Sequence, residues 1–203
     1  MSSREAIFEN LRHATAGIET KIPHPEFDDS LLHCAPKLDG KNLAKLFEQN
    51  FAAVNGRTMK SLDELAAFLE KQDVRHGFCD GALFESIGRP LFDRGFGIAT
   101  MFERDRYEHY QFGITRATAA IAESGSLVID DDQTSDRLAA LVPWIHVAVL
   151  ERSSIIRTIP EAIAAFDNSP NIIWVTGPSK TADVEGILIE GVHGPGEQIA
   201  LLV

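Results

Sequence analysis

Cysteine is scarce in this chain. There are two, Cys34 and Cys79, far apart and with no CxxC spacing. Two isolated thiols cannot supply the four thiolates of an iron–sulfur cluster or a structural zinc site. A chain of 203 residues does not need a disulfide to fold, so both read as ordinary buried thiols. Basic residues are also short: 19 Lys and Arg stand against 30 Asp and Glu, a net charge of −11. So acidic a chain repels nucleic acid and anionic lipid unless a basic patch intervenes. The densest basic stretch, Arg94 to Arg106, is interleaved with Asp93, Glu103 and Asp105 and reads as a solvated face. No apolar run approaches the length of a membrane span. The opening Met1-Ser2-Ser3-Arg4-Glu5 has no apolar h-region, so a cytoplasmic location is expected.

Several catalytic signatures are missing as well. A P-loop needs Gly directly before its Lys-Thr pair, and Ser179 stands there. The nucleophile elbow fails because Ser124 has Ala122 and Ser126 where glycines are required. Gly95-Phe96-Gly97 begins a dinucleotide fingerprint that Thr100 ends. No H-x-x-x-H or H-E-x-x-H pattern exists, so no metal site is expected.

What is present is an ordinary globular composition, 44% hydrophobic and 24% charged. Arg4 to Ala16 has helical spacing, and Ile22-Pro23-His24-Pro25 breaks it. Asp28 to Leu32 suits a short helical turn. Leu43 to Val54 predicts an amphipathic helix, with Gly56 placed to end it in the left-handed conformation. A further helix opens at Ser61 with a Ser61–Glu64 capping box and runs to about Lys71. Phe78 to Phe102 mixes Gly, Phe and charge, with room for one or two short strands. Strands are predicted at 126–129, 145–150, 171–175, 187–189 and 198–203, with helices at 134–141 and 160–166. The alternation implies crossover units and a largely parallel sheet. The expected fold class is therefore α/β. Residues 1–70 form a helical region packing on the core, and residues 71–203 form the α/β core.

Three glycine-bearing segments stand out: Gly113 to Ser126, Thr176 to Gly186, and Gly191 to Gly196. The last two follow predicted strands. Ligands in open α/β sheets bind at the carboxyl ends of the strands, so these segments are expected there. Glycine lets backbone N–H groups approach an anion, and Ser179, Lys180 and Thr181 add donors and charge. The anion-binding candidates are thus Ser124, Gly125, Ser126, Gly177, Ser179, Lys180, Thr181, Asp183, Gly191 and Gly194. Ser179 could equally cap a following helix, and Asp183 and Glu185 would suit its first turn. His193 between glycines could act as acid or base near neutral pH. His146 and Trp144 read as strand residues used in packing.

The stretch Thr176-Gly177-Pro178-Ser179-Lys180-Thr181-Ala182-Asp183-Val184-Glu185, followed by Gly191-Val192-His193-Gly194-Pro195, resembles the terminal signature of the LUD-domain family. Ile121-Ala122-Glu123-Ser124-Gly125-Ser126-Leu127 is similar to that family's upstream glycine motif, and Leu141-Val142-Pro143 with His146-Val147 to its connecting strand. There are two departures. Ser126 stands where Thr is more usual, and Arg116-Ala117-Thr118 stands where the family often has Asp. The resemblance implies a core of the NagB/RpiA/CoA-transferase type. It implies a role in L-lactate utilisation, the oxidation of lactate to pyruvate, alongside two iron–sulfur partner proteins that carry the clusters; no cofactor is expected on this chain. The expected ligand is a small anion: lactate, a related carboxylate, a phosphate or a CoA ester. Glu123 is the first catalytic candidate, by analogy with a nucleophilic glutamate in related CoA transferases, and His193 the second. A stand-alone enzyme of acyl, CoA or sugar-phosphate chemistry and a small-anion sensor are the alternative readings.

Overall fold

The structure is a computed structural model describing residues 3–18, 38, 40–131, 133–134, 136–166, 169, 171–182 and 186–203. It divides into two compact units, 1–32 and 33–203. In the first, helix α1 spans Ser3–Thr15, as its periodicity predicts. The expected break at Ile22–Pro25 and turn at Asp28–Leu32 lie outside the described residues.

The second unit begins its regular structure with helix α2, Leu43–Ala53, capped by Asn42, whose side chain accepts from the Lys45 N–H. The helix ends one residue earlier than expected. Asn55, not Gly56, takes the left-handed conformation (φ 69°). The Gly56 N–H returns to the Phe51 carbonyl at 2.8 Å and the Asn55 N–H to Ala52 at 3.0 Å, a Schellman closure. Asn tolerates this conformation, and Gly56 is needed for another reason: a side chain there would strike the Phe51 ring. Helix α3, Leu62–Lys71, starts as the capping box predicts, with the Ser61 hydroxyl accepting from the Glu64 N–H. The Glu64 carboxylate reaches back one residue further than the usual box, to the Lys60 N–H at 2.8 Å.

Six strands form an all-parallel sheet: β1 Arg57–Met59, β2 His76–Cys79, β3 Gly97–Ala99, β4 Phe112–Arg116, β7 Ile145–Leu150 and β12 Glu197–Leu202. Their order is β1-β12-β7-β4-β2-β3. The central strands β4, β7 and β12 are buried almost throughout, as expected of a sheet covered on both faces. Val147 and Val149 face one layer with Leu65, Leu69 and Leu91; Ala148 and Leu150 face the other with Leu46, Phe47 and Phe51. Burying each such Leu or Phe contributes roughly 2 kcal/mol. Between β2 and β3 lie a short 3-10 turn, a π-helical segment Phe84–Gly88 and helix α4, Arg89–Phe92.

Not every predicted strand joins this sheet. A second sheet of order β8-β5-β6-β9 contains β5 Ala119–Ile121, β6 Ser126–Asp130, β8 Ile155–Ile156 and β9 Ile172–Val175. Its pairings β5–β6 and β6–β9 are antiparallel. The strand expected at 187–189 is β11, Leu188–Glu190, in an antiparallel hairpin with β10, Lys180–Ala182. From β5 to β6 and from β10 to β11 the chain returns directly without a crossover helix, which permits antiparallel pairing. The helix expected at 134–141 is only the single turn α5, Leu138–Leu141; Thr134 is instead buried, with its hydroxyl on the Arg116 carbonyl at 3.1 Å. Helix α6, Ile159–Ala165, matches its prediction and covers the outer face of the second sheet.

Candidate functional site

The first glycine segment runs through β4 and β5 and ends in the turn before β6. Gly125 has φ +66°, and a methyl group on it would lie 2.4 Å from the Phe51 backbone nitrogen. Helix α2 is therefore seated backbone against backbone on this turn, and only glycine permits that approach. Asn50 reinforces the seat, its amide donating to the carbonyls of Ala122 (2.7 Å) and Glu123 (3.0 Å). The Glu123 carboxylate accepts from the Ile159 N–H at 3.0 Å, at the first turn of α6. A negative group is favourable at that helix end. Ser124 and Ser126 hydroxyls lie 2.7 Å apart, and Ser126 continues to the Thr176 hydroxyl at 2.7 Å. This chain of hydroxyls joins the first segment to the second.

The second segment also rests on α2. Gly177 has φ +79°, and a methyl group there would sit 2.2 Å from the Val54 carbonyl oxygen. Lys180 donates to that carbonyl at 3.1 Å and lies 3.6 Å from Glu190, which also accepts from Asn55 at 2.6 Å. Lys180 thus closes the carbonyl end of α2, where a cation is favoured. Thr181 lies in β10 opposite Ile189. Asp183 and Glu185 lie outside the described residues. Because Lys180–Ala182 is a strand, Ser179 opens no helix and has no capping role. Its backbone instead binds the third segment: its N–H donates to the Pro195 carbonyl, and its carbonyl accepts from the Gly191 N–H, both at 2.9 Å.

Within that third segment, Gly191 and Gly196 lie against the Trp144 ring, and Gly194 sits beside the Ser179 side chain. Trp144 precedes β7 and is about half exposed, so it is a clamp for this loop and not a strand residue. His193 is exposed at the loop tip. A cleft of about 280 Å³ results, with Gly177, Ser179, His193 and Gly194 on its wall together with Thr176 and Gln198. Four of the predicted residues therefore meet. Glu123, Ser124, Gly125, Ser126, Lys180, Thr181 and Gly191 are not among the described residues of that wall.

The cleft is at the opposite end of the parallel sheet from the one expected. Gln198 is the second residue of β12, and the Glu197 N–H donates to the Trp144 carbonyl just before β7 begins. Both strands start here, so these are their amino ends. The segment after β9 and the one after β11 follow strands of the second sheet and the hairpin, for which the carboxyl-end rule makes no provision.

Beneath the cleft lies a polar group that in the sequence resembles a packing residue. His146 is completely buried in the middle of the sheet. One ring nitrogen lies 2.8 Å from the Thr115 hydroxyl on β4, and the other lies 3.0 and 2.8 Å from the amide atoms of Gln198 on β12. Burial holds the imidazole neutral and pushes its pKa down to about 4. The signal in the sequence was a lone His in a Val/Ile strand; its partners lie on other strands and only the register reveals them. Cys79 is the buried thiol the sequence predicted. Burial, with the Asp80 charge beside it, raises its pKa to about 12, so it carries no reactive thiolate near neutral pH.

A model of the LUD domain matches residues 81–203. Lactate utilization protein C of Bacillus licheniformis is 34% identical over 106 residues, covering 48% of this chain and 44% of that protein. The Bacillus subtilis protein of the same name is 35% identical over 104 residues, 47% of this chain and 43% of the relative. Lactate utilization protein C 1 of Bacillus mycoides is 35% identical over 157 residues, 73% of this chain and 67% of the relative. For the first two, the matched region spans less than half of the relative's length. The fold is shared with a crystal structure of a DUF162 family protein from Deinococcus radiodurans, with a TM-score of 0.58 at 19% identity, over 79% of this chain and 96% of that one. With more than half its length inside the domain model and its glycine motifs within that half, the chain belongs to the LUD-domain family.

Proposed function

We propose that this protein is a non-redox component of an L-lactate utilisation system that oxidises lactate to pyruvate. Two iron–sulfur proteins would carry the electrons, and this chain would bind them and a small anion. Its core would be of the NagB/RpiA/CoA-transferase type. The observation that carries the reading is the convergence of Thr176–Ser179 and His193–Pro195, the segments of the family signature, on one cleft. There the Ser179 hydroxyl and the exposed His193 ring offer hydrogen-bonding groups to a small anion. Glu123, the nucleophile of a CoA-transferase-like alternative, is already committed to the start of α6, which weighs toward a binding role.

The test is affinity capture of the tagged protein from lactate-grown native cells, with mass spectrometry of what is recovered. Two cysteine-rich iron–sulfur proteins in near-stoichiometric amount are expected. Recovery of this chain alone, under gentle lysis and low salt, would overturn the reading in favour of a stand-alone enzyme or sensor.

A further inference from the structure

The parallel sheet has its own switch point. From β2 the chain moves outward to β3, then crosses back to β4 and continues the other way through β7 to β12. A crevice must open where the order reverses, at the carboxyl ends of β2 and β4. The structure has a cavity of about 320 Å³ there, at the low end of the size range of small-molecule sites. Ser86 and Ile87, which line it, belong to the π-helical segment after β2, a distortion that recurs at functional sites.

Its polar wall is Arg116-Ala117-Thr118, the tripeptide that departs from the family pattern. The Ala117 N–H bonds the Val149 carbonyl and the Thr118 N–H the Val128 carbonyl, both at 2.9 Å, so this link is fixed to both sheets. The Thr118 hydroxyl is buried and has no hydrogen-bond partner among the described residues. Arg116 lies 3.6 Å from Glu151 across the crevice, and both are half exposed. So loose a pair holds weakly and is readily displaced.

We infer that this crevice is a second ligand site, distinct from the glycine cleft, and that it takes a short carboxylate bearing a hydroxyl on its α-carbon. Arg116 receives the carboxylate through its planar fork. Glu151 accepts a hydrogen bond from the hydroxyl, and Ile87 and Val149 face the carbon body. No Lys or Arg is among the described residues of the glycine cleft, so a carboxylate finds its fixed cation here instead. The choice of a 2-hydroxy acid rests on the lactate reading; the site itself rests on the topology, the cavity and the Arg116–Glu151 pair across it.

The test is an NMR titration of the full chain with L-lactate, acetate and inorganic phosphate, which detects millimolar binding. L-lactate should shift the amides of 116–118 and 86–87 and bind several-fold tighter than acetate or phosphate. Arg116→Gln should weaken it at least tenfold, while Arg104→Gln, which removes a charge away from both pockets, leaves it unchanged. Circular dichroism checks that each variant is folded. Lactate shifts confined to 176–179 and 193–194 would overturn the proposal, as would tighter binding of phosphate or acetate, or no binding at all. Affinity capture with Arg116→Gln separates the two ideas: partners recovered while wild type binds no acid would sink this site and leave the lactate-utilisation reading standing.

Discussion

The two ends of the six-stranded sheet are built from different materials. At the amino end, glycines, Trp144 and a buried His–Thr–Gln set bring backbone segments into contact, and the described cleft wall carries no Lys or Arg. At the carboxyl end there is less glycine, but there is a cavity, an arginine, a carboxylate and an unmatched hydroxyl. The contrast separates two uses of unusual residues. Glycine-rich segments attract attention in a sequence because they suit anion binding, but here several of them serve close packing. Charged groups poised for a ligand follow the topology instead.

The comparison can be broken by substitutions at each end. Gly177→Ala should have the largest effect, costing about 3 kcal/mol or more, because it combines a left-handed strain with a collision against the Val54 carbonyl. Urea denaturation measures it, and a loss below about 1 kcal/mol would mean that α2 is not seated on this segment. A comparable effect should come from acid. The folded pKa of His146 lies below its ordinary value of 6.5, at about 4. Stability is thus complete above pH 6.5 and is lost as pH falls toward 4, since the unfolded chain takes up a proton that the folded chain refuses. The loss should reach about 3 kcal/mol. Its slope over that interval should flatten in His146→Gln; an unchanged slope would place the titrating group elsewhere.

Smaller effects sharpen the contrast. Trp144→Ala should cost about 1–2 kcal/mol and speed amide hydrogen exchange at 191–196, since the ring covers that loop. Thr118→Val should have the opposite sign and stabilise the protein by about 1 kcal/mol, because it removes a buried hydroxyl without a partner. A thermal melt distinguishes gain from loss. A destabilised Thr118→Val would mean that the hydroxyl is satisfied in solution.

Much of the fold was legible. Helices α2 and α3 announced themselves through caps and apolar stripes, and β6, β7, β9 and β12 through runs of Val, Ile and Leu. The strands that were missed have physical reasons. β5 is Ala119-Ala120-Ile121, short and buried on both faces, without alternation. β4 carries Gly113, where a side chain would meet the Ala139 carbonyl of α5. Which sheet a strand joins was not legible at all, because antiparallel β9 and parallel β7 are equally apolar in sequence. The same holds for the site. The convergence of Ser179 with His193 followed from the family motifs, whereas the engagement of Lys180 by Val54 and Glu190 depends on residues far away in sequence. In the sequence Arg116 stands out only as a departure from pattern; its cavity depends on the order of the strands.

The edge strand β1 has a consequence for how the chain reaches its native state. Among the described residues, 57–59 pair only with 199–201. Helix α2, directly before them, packs on Ala200 and Leu202 of the same late strand. An early segment therefore waits for a very late one, and the intervening loop must close before either is rewarded. During synthesis, the apolar face of α2 stays without its final support until β12 has been made, a stretch of exposure in which a chaperone would have the most to shield.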